Sequence, residues 1–238
     1  MTEETAQAQP DFLVYGSPVS PFARKVLAFA IEKGAEFDVE PVNIMDPPEW
    51  FPEISPMKRI PVLRDRGVGK EGAAGTIADS SAICAYIDKK HPNPALYPSD
   101  PFDHGHALFI EEYADTMLAP TGGLGIFRPI FFNIIGGKDP DIEKARQTWR
   151  EDMPPILDYL EGQLGENEWF APATVSIADI AVACVLMQID LVAHAPLDSW
   201  PALKAHHQRM SARPSIAGPF AQANGFIRKA LPDPIDLT

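Results

Sequence analysis

Cysteine is scarce in this sequence, and the few histidines are not spaced for metal binding. The 238 residues include two cysteines, Cys84 and Cys184, which lie far apart and within apolar runs. A disulfide framework needs more cysteines, and neither a Cys-x-x-Cys nor a His-x-x-x-His pair occurs among them and the six histidines. We therefore predict two small buried thiols and no metal site.

Basic residues are also fewer than acidic ones. Lys and Arg number 20 against 33 Asp and Glu, which gives a formal net charge of −13. Because binding along a nucleic acid needs clustered Lys and Arg, we do not expect a nucleic-acid partner. A small anionic ligand remains open, since the N-terminus of a helix can bind one in spite of the overall charge.

From the sequence we predict neither a signal peptide nor a membrane span. Residues 1–10 are polar and acidic, without the apolar centre of a signal peptide. The longest apolar stretch, 177–195, is interrupted by Asp179 and Asp190, which favours a buried helix. We expect a soluble cytoplasmic protein with no membrane partner.

Predicted strands and helices alternate in the first part of the chain, and only helices are predicted after it. This order predicts a small α/β sandwich and then an all-α region. A glycine-rich stretch, 66–75, is expected to form a flexible surface loop, and the glycines near 122–125 and 136–137 to bend or break a helix. The predicted strands are 12–15, 37–42, 61–65 and 75–78, and the predicted helices are 21–33, 48–54, 79–90, 103–127, 140–164, 176–192 and 200–211.

Two short phrases carry the clearest signal for binding. In the segment Lys58-Arg59-Ile60-Pro61-Val62-Leu63, a proline lies at the start of a strand, where the sheet does not need the backbone N–H that proline lacks. If the Ile60–Pro61 bond is cis, at a cost of about 0.5–1 kcal/mol, the Ile60 N–H and C=O turn outward toward an extended ligand. In the second phrase, Asp79 or Ser80 caps a helix whose free N–H groups suit a carboxylate.

Two further motifs stand in a fixed order around these phrases. Near the N-terminus, a strand and a turn lead into a helix that begins at Pro21, as is typical of proline at a first helical position. Farther on, Ser176 and Asp179 form a capping box ahead of an apolar run. Together, in this order from about Phe12 to Phe220, the motifs resemble the glutathione transferase family, and within it the cytosolic, bacterial serine-type (theta- or nu-like) members.

The resemblance implies a fold and an organisation. It implies a thioredoxin-like domain at residues 1–91 that binds glutathione, a linker at 92–102 and an all-helical domain at 103–238 that carries an apolar substrate site. It also implies glutathione as cosubstrate, with no metal, and a homodimer. The activity expected is conjugation of glutathione to a small apolar electrophile, with dehalogenation or ether cleavage as variants and detoxification as the general role.

By resemblance, individual residues receive roles toward glutathione. Asp79 and Ser80 would bind the γ-glutamyl end, the backbone at Ile60 and Pro61 would pair with the cysteinyl residue, and Arg59 or Lys58 would reach the glycyl carboxylate. The thiol activator would come from the turn before the first helix. Two serines compete for that role, Ser20, which directly precedes Pro21, and Ser17, and Ser20 is favoured.

An apolar electrophile would lie between the two domains. The residues implied for it, from the first helix and from the helix pair near 103–150, are Phe22, Tyr113, Met117, Phe127, Arg128 and Phe131. For the aromatic stretch 127–132, ordinary packing between helices is an equal alternative. A serine at position 20 cannot form a mixed disulfide, which favours conjugation over thiol transfer. The alternatives left open are a regulatory or scaffold protein without activity and a glutathione-dependent peroxidase or isomerase.

Overall fold

The computed structural model describes residues 9–172 and 174–238. Its N-terminal part is a four-stranded sheet in the order β2-β1-β3-β4, in which β1 is parallel to β2 and antiparallel to β3, and β3 is antiparallel to β4. The predicted α/β order is confirmed. The strands and helices are β1 (Phe12–Tyr15), α1 (Pro21–Glu32), β2 (Phe37–Glu40), α2 (Phe51–Ile54), β3 (Val62–Asp65), β4 (Thr76–Ile77) and α3 (Ser80–Lys90).

Each face of this sheet is covered by helices, as the alternation of side chains along a strand requires. Phe12 and Val14 point to the face that α1 and α3 cover, and they belong to the large core. Leu13 and Tyr15 point to the other face, where they pack with Phe51 of α2 in a smaller cluster. The sheet is thus buried on both faces, and chemistry is left to the loops at its edges.

The remainder is helical, as predicted. A long helix, α4, runs without a break over Pro101–Ile135 and includes π-helical stretches at Ala114–Leu118 and Gly123–Phe132. After it come α5 (Ile142–Gln147), which continues into a π-helical turn at Thr148–Asp152, and α6 (Pro154–Leu164), α7 (Ile177–Asp190), α8 (Pro201–Ser211) and α9 (Pro214–Ile227). Two short strands, β5 (Ala193–His194) and β6 (Ile235–Asp236), pair in parallel.

Length and composition alone would allow α4 to cross a membrane, since its best window has a mean hydropathy of 1.3. Inside the protein, however, 44% of that window is buried against other helices. A core helix of a soluble protein has the same properties, so this is weak evidence for a membrane span.

The glycines of α4 act as predicted only in part. A bend or a break was expected near 122–125 and near 136–137; the helix does end before Gly136 and Gly137, but it runs without a break through 122–125. The reason is close packing: a Cβ atom on Gly125 would lie 2.4 Å from Cγ2 of Thr148 in the neighbouring π-helical turn. Gly125 lets two helices approach, and the prediction of a break there was wrong.

The capping box at Ser176 is present and does more than begin α7. The Asp179 carboxylate accepts hydrogen bonds from the N–H of Ser176 (2.8 Å) and from its hydroxyl (2.8 Å). It also accepts from the N–H of Phe170 (3.0 Å) and contacts Nε2 of His206 (2.9 Å). Because Asp179 and His206 are fully buried, this cluster ties α7 to α8 in the centre of the helical part.

Two other expectations concern thiols and a loop. Cys84 and Cys184 are free and buried, as predicted, and burial raises the pKa of both thiols. The stretch 66–75 was expected to be flexible, but the Arg64 side chain fastens it by donating to the carbonyls of Gly72 and Ala74 at 2.7 Å each. The polar residues 1–8 lie outside the described residues.

Candidate functional site

Strand register brings three loops together at one edge of the sheet. Tyr15 pairs with Val62, so the turn that follows β1 lies beside Pro61. In the next ladder Leu63 pairs antiparallel with Ile77, so the residues that precede β3 and those that follow β4 leave the sheet at the same end. The turn that contains Ser17 and Ser20, the bend at Pro61 and the start of α3 therefore converge, although they are distant in sequence.

Close packing supports this convergence. Gly16, the first residue after β1, is so placed that a Cβ atom on it would lie 3.8 Å from Cα and Cβ of Pro61 and 3.4 Å from Cβ of Ala23. The turn thus rests on both the proline bend and the first turn of α1.

Ser20 caps α1, and the geometry leaves its proton free. Its backbone is extended (φ −73°, ψ 128°), and its Oγ accepts a hydrogen bond from the N–H of Ala23 at 3.3 Å. A hydroxyl has one donor and two acceptor positions, so accepting from Ala23 does not prevent Ser20 from donating its own proton to an anion. Ser17 is used in a similar way, since its Oγ accepts from the N–H of Val19 at 3.3 Å. Geometry alone does not separate the two serines.

The bend before β3 offers a free peptide group. The Ile60–Pro61 bond is cis. Within the part of the chain that the structure describes, the Ile60 N–H and C=O make no hydrogen bond. The approach to this bend is fixed by buried Ser55, whose Oγ donates to the carbonyl of Arg59 (2.7 Å) and accepts from its N–H (3.0 Å). Lys58 has a left-handed backbone (φ 53°), and the side chains of Lys58 and Arg59 are exposed.

The start of α3 combines a cap with open N–H groups. Asp79 is exposed, and its Oδ1 accepts from the N–H of Ala82 at 2.9 Å, so Asp79 rather than Ser80 is the capping residue. Ser80 is 6% exposed, and its hydroxyl has no hydrogen-bond partner within residues 9–172 and 174–238. The positive end of the helix dipole and a hydroxyl without a partner suit a carboxylate at this point.

A buried charge cluster lies directly behind this helix start. Lys25 of α1 is 1% exposed, and its Nζ donates to Glu111 (2.9 Å) and Asp115 (2.5 Å) of α4 and to the hydroxyl of Ser81 (3.2 Å). One cation thus meets two carboxylates. Burial raises the pKa of Asp115 to about 6, although Lys25 acts in the opposite direction. The cluster joins α1, α3 and α4 behind the candidate site.

Sequence analysis did not single out Arg24 and Lys25, and a signal for them was available. They are the two charged residues in a stretch of α1 that is otherwise apolar from Ala23 to Ala30. Both are buried, at 2% and 1% exposure. Adjacent charges inside a buried run predict specific partners, because a buried ion without partners is very costly.

The apolar candidates do not form one surface. Phe22 is half-buried at the start of α1, close to Ser20 in sequence, and Met117 is 46% exposed on α4. Tyr113, by contrast, packs against Tyr159 of α6 with ring centroids 4.6 Å apart and the rings tilted by 38°. Glu111 and Asp115, which face α1, flank it in sequence, so it lies on a different face of α4 from them.

The aromatic stretch at the end of α4 likewise contains both buried and exposed residues. Phe127 is 4% exposed and Phe131 is 2% exposed, and they pack on each other with centroids 5.6 Å apart. Phe131 also contacts Phe226 of α9 at 6.2 Å. Arg128 is exposed, with its guanidinium carbon 5.5 Å from the centre of the Phe132 ring. Phe127 and Phe131 therefore fit the packing alternative, and Arg128 is accessible to solvent.

A metal site has no support among residues 9–172 and 174–238, where no group of three or more His, Cys, Asp or Glu is close enough to hold an ion.

Comparison with known proteins identifies the family of this fold and site. Residues 19–90 match the N-terminal domain and residues 127–219 the C-terminal domain of glutathione S-transferase. The "Uncharacterized GST-like protein YibF" of Escherichia coli (strain K12) is 30% identical over 184 residues, which cover 76% of this chain and 83% of that protein. The chain belongs to the glutathione S-transferase family. The fold expected from the resemblance, thioredoxin-like and then helical, is thereby confirmed.

Two further similar proteins show how far the similarity extends. The "FtsZ-localized protein A" of Caulobacter vibrioides (strain NA1000 / CB15N) is 26% identical over 198 residues, 83% of this chain and 85% of that protein. Among solved structures, a glutathione S-transferase from Methylobacterium radiotolerans in complex with glutathione sulfonate is 25% identical. It superposes with a TM-score of 0.69 over 88% of this chain and 94% of that one.

Proposed function

We propose that this glutathione S-transferase family member is an active enzyme that binds glutathione at the edge of the sheet and activates its thiol for attack on an apolar electrophile. The observation that supports the proposal is the strand register, in which the turn after β1, the bend at Pro61 and the start of α3 all follow or precede paired residues at the same end of the sheet. The similarity to a transferase in complex with glutathione sulfonate supports it further.

The peptide would be held at three points. The γ-glutamyl carboxylate would lie on the N–H groups at the start of α3 and on the free Ser80 hydroxyl, with its amine against Asp79. The cysteinyl residue would pair with the unused N–H and C=O of Ile60 beside Pro61, in the manner of an added strand. Arg59, or Lys58 beside it, would reach the glycyl carboxylate with an exposed cationic side chain.

Ser20 would stabilise the thiolate. A thiol with a pKa of about 8.5 is only about 3% ionised at pH 7. To lower this pKa by two, the protein must stabilise the thiolate relative to the thiol by about 2.7 kcal/mol. A hydrogen bond from a hydroxyl to an anion contributes about 1.5–3 kcal/mol and the helix dipole about 0.3–1 kcal/mol. Together, the hydrogen bond and the helix dipole are sufficient to lower the pKa of the thiol by this amount. Because nucleophilicity falls with pKa, this acidification gives only a gain of a few-fold, and positioning of the electrophile must supply the rest.

The electrophile would approach from the side of α1 and α4. Phe22 and Met117 are the exposed or half-exposed apolar candidates, and Arg128 would select for an anionic group. With serine rather than cysteine at position 20, we assign conjugation, dehalogenation or ether cleavage to the enzyme, and not thiol transfer. We further propose a division into domains at 1–91 and 103–238, joined by 92–102, a homodimer and a cytoplasmic role in detoxification.

The test combines binding and turnover. Purified protein is mixed with glutathione and a chloronitrobenzene, and in a separate reaction with a glutathionylated substrate. The proposal predicts conjugation in the first reaction and none in the second. Turnover of only the glutathionylated substrate would overturn the reaction class.

A second candidate function is a non-catalytic role in a protein assembly, and the similarity to FtsZ-localized protein A favours it. Such a role does not need a free Ile60 peptide or a free Ser80 hydroxyl. The two functions differ in a simple assay, since a scaffold would turn over no member of a panel of electrophiles, halides, peroxides and isomerisable substrates. A peroxidase or isomerase at the same site would react only with the last two.

A further inference from the structure

A buried arginine joins the turn between β1 and α1 to the helical part of the protein. Arg24 lies in α1 and is 2% exposed. Its Nη1 donates to the carbonyl oxygens of Pro18 (2.7 Å) and Val19 (3.2 Å). Its Nη2 donates to the carbonyl of Cys184 (2.8 Å) and to Oε1 of Gln188 (2.8 Å), both in α7. One rigid guanidinium thus holds two elements on opposite sides of it.

This arrangement is costly as a purely structural contact. All four acceptors of Arg24 are neutral oxygens, and its Nε has no hydrogen-bond partner among residues 9–172 and 174–238. Burial lowers the pKa of Arg24 to about 10, opposed by the nearby titratable groups Cys184 and Asp190, so the guanidinium stays charged at neutral pH. A buried cation without a paired carboxylate is often less stabilising than an apolar side chain of similar volume.

We propose that Arg24 is a positioning residue for Ser20. Its hydrogen bonds fix the carbonyls of the two residues that precede Ser20, and its own N–H donates to the Ser20 carbonyl at 3.0 Å. The peptide units around Ser20 are therefore held from both ends, which fixes the backbone from which its hydroxyl projects. The inference rests on the proposed function, in which Ser20 stabilises the thiolate.

This role depends on the planar shape of the guanidinium, which donates from two nitrogens to two different elements, and not on its charge. Lysine keeps the positive charge but has a single nitrogen, which cannot reach the turn and α7 with the same geometry. Arg24→Lys therefore separates the two effects. Arg66→Lys is the matched control, because Arg66 also donates to a backbone carbonyl (Pro10, 2.7 Å) and to Asp38 (2.7 Å), but away from the turn.

The first readout needs no ligand. Amide hydrogen exchange at Ala23, whose N–H bonds to the Ser20 hydroxyl, reports on the order of the turn. In Arg24→Lys we expect this amide to exchange about tenfold faster, while the amide of Ile83 in α3 matches the control. Gln188→Met, which removes one acceptor and keeps the arginine, serves if Arg24→Lys does not fold, and it should give a smaller acceleration at the same amide.

The second readout is the pKa of the glutathione thiol in the binary complex, followed by thiolate absorbance. We expect Arg24→Lys to raise it by about one, a tenfold loss of thiolate below the pKa, while the control leaves it unchanged. If exchange at Ala23 and the thiol pKa both stay at wild-type values and only thermal stability falls, Arg24 is merely structural and the inference is wrong. If the wild type binds no glutathione, the proposed function fails, and the exchange result still decides the role of Arg24 in the turn.

Discussion

The hydroxyl of Ser20 accepts a hydrogen bond from the N–H of Ala23 at 3.3 Å and keeps its own proton available. The residue is therefore able to cap α1 and to donate to an anion at the same time. From the sequence alone, these two roles compete. In the structure they are compatible, so capping α1 does not rule out Ser20 as the partner of the thiolate.

Replacing Ser20 with alanine should weaken activation far more than binding. Loss of a hydrogen bond to the anion, about 1.5–3 kcal/mol, should raise the pKa of the bound thiol by about one to two. Because the less acidic thiolate is also more nucleophilic, kcat/KM should fall by no more than about fourfold. The measurements are thiolate absorbance against pH and steady-state kinetics. Ser17→Ala is the control, and an equal or larger effect there would transfer the role to Ser17.

Removing the carboxylate of Asp79 should reduce the affinity for glutathione, an effect that the loss of a helix cap does not by itself produce. Both Asp79→Ala and Asp100→Ala delete an exposed aspartate that caps a helix, since Asp100 accepts from the N–H groups of Phe102 (2.9 Å) and Asp103 (3.1 Å) at the start of α4. Each should lose about 1 kcal/mol of stability. Only Asp79→Ala should weaken binding, by about tenfold or more, in a calorimetric titration. Equal affinities in the two variants would reduce Asp79 to a structural cap.

Asp115 should make stability depend on pH in the weakly acidic range. Its pKa is raised to about 6 in the folded protein, so between about pH 4 and 6 the folded state binds more protons than the unfolded state, and stability falls as pH rises. The stability of the wild type relative to Asp115→Asn should thus fall by about 2 kcal/mol from pH 4 to pH 7. Urea unfolding at several pH values measures this difference.

The matched control for this pH dependence is Asp152→Asn, which changes an exposed aspartate in the π-helical turn. Its stability relative to the wild type should show no comparable change over the same range. A flat difference for Asp115→Asn as well would mean that the ion pair with Lys25 offsets the effect of burial completely.

Two glycine substitutions in α4 should have opposite effects. Alanine at Gly125 places a Cβ atom 2.4–2.9 Å from the buried side chain of Thr148, so crowding should cost about 1–3 kcal/mol. Alanine at Gly105, where no atom lies within 4 Å of the new Cβ, should stabilise the helix by up to about 1 kcal/mol. Thermal or urea unfolding compares them. Stabilisation by both variants would show that the two helices separate easily.

Sequence reasoning predicted those elements whose local patterns agree with their final environment. The strands of the sheet, the cap at Asp79 and the box at Ser176 and Asp179 are specified by residues close together in sequence, and they are found within a few positions of the prediction. The same reasoning failed at Gly125, because the reason for that glycine is Thr148, which belongs to another helix.

The last long helix, α9, was missed for a related reason. Pro219 and two glycines inside Pro214–Ile227 are unfavourable for a helix, yet its apolar residues Ile216, Ala223 and Ile227 are buried against the core. Tertiary packing outweighs local preference there. The side chains of Arg24 and Lys25 likewise depend on acceptors in distant helices, so their roles depend on the three-dimensional structure.

The central claim is that glutathione docks along the free Ile60 peptide between Ser20 and Asp79. Isothermal titration calorimetry of the purified protein with glutathione is its most direct test. We expect saturable binding of one glutathione per chain, weakened in Asp79→Ala and unchanged in Asp100→Ala. A titration to millimolar glutathione that releases no heat of binding, with the protein folded by circular dichroism, would contradict the account.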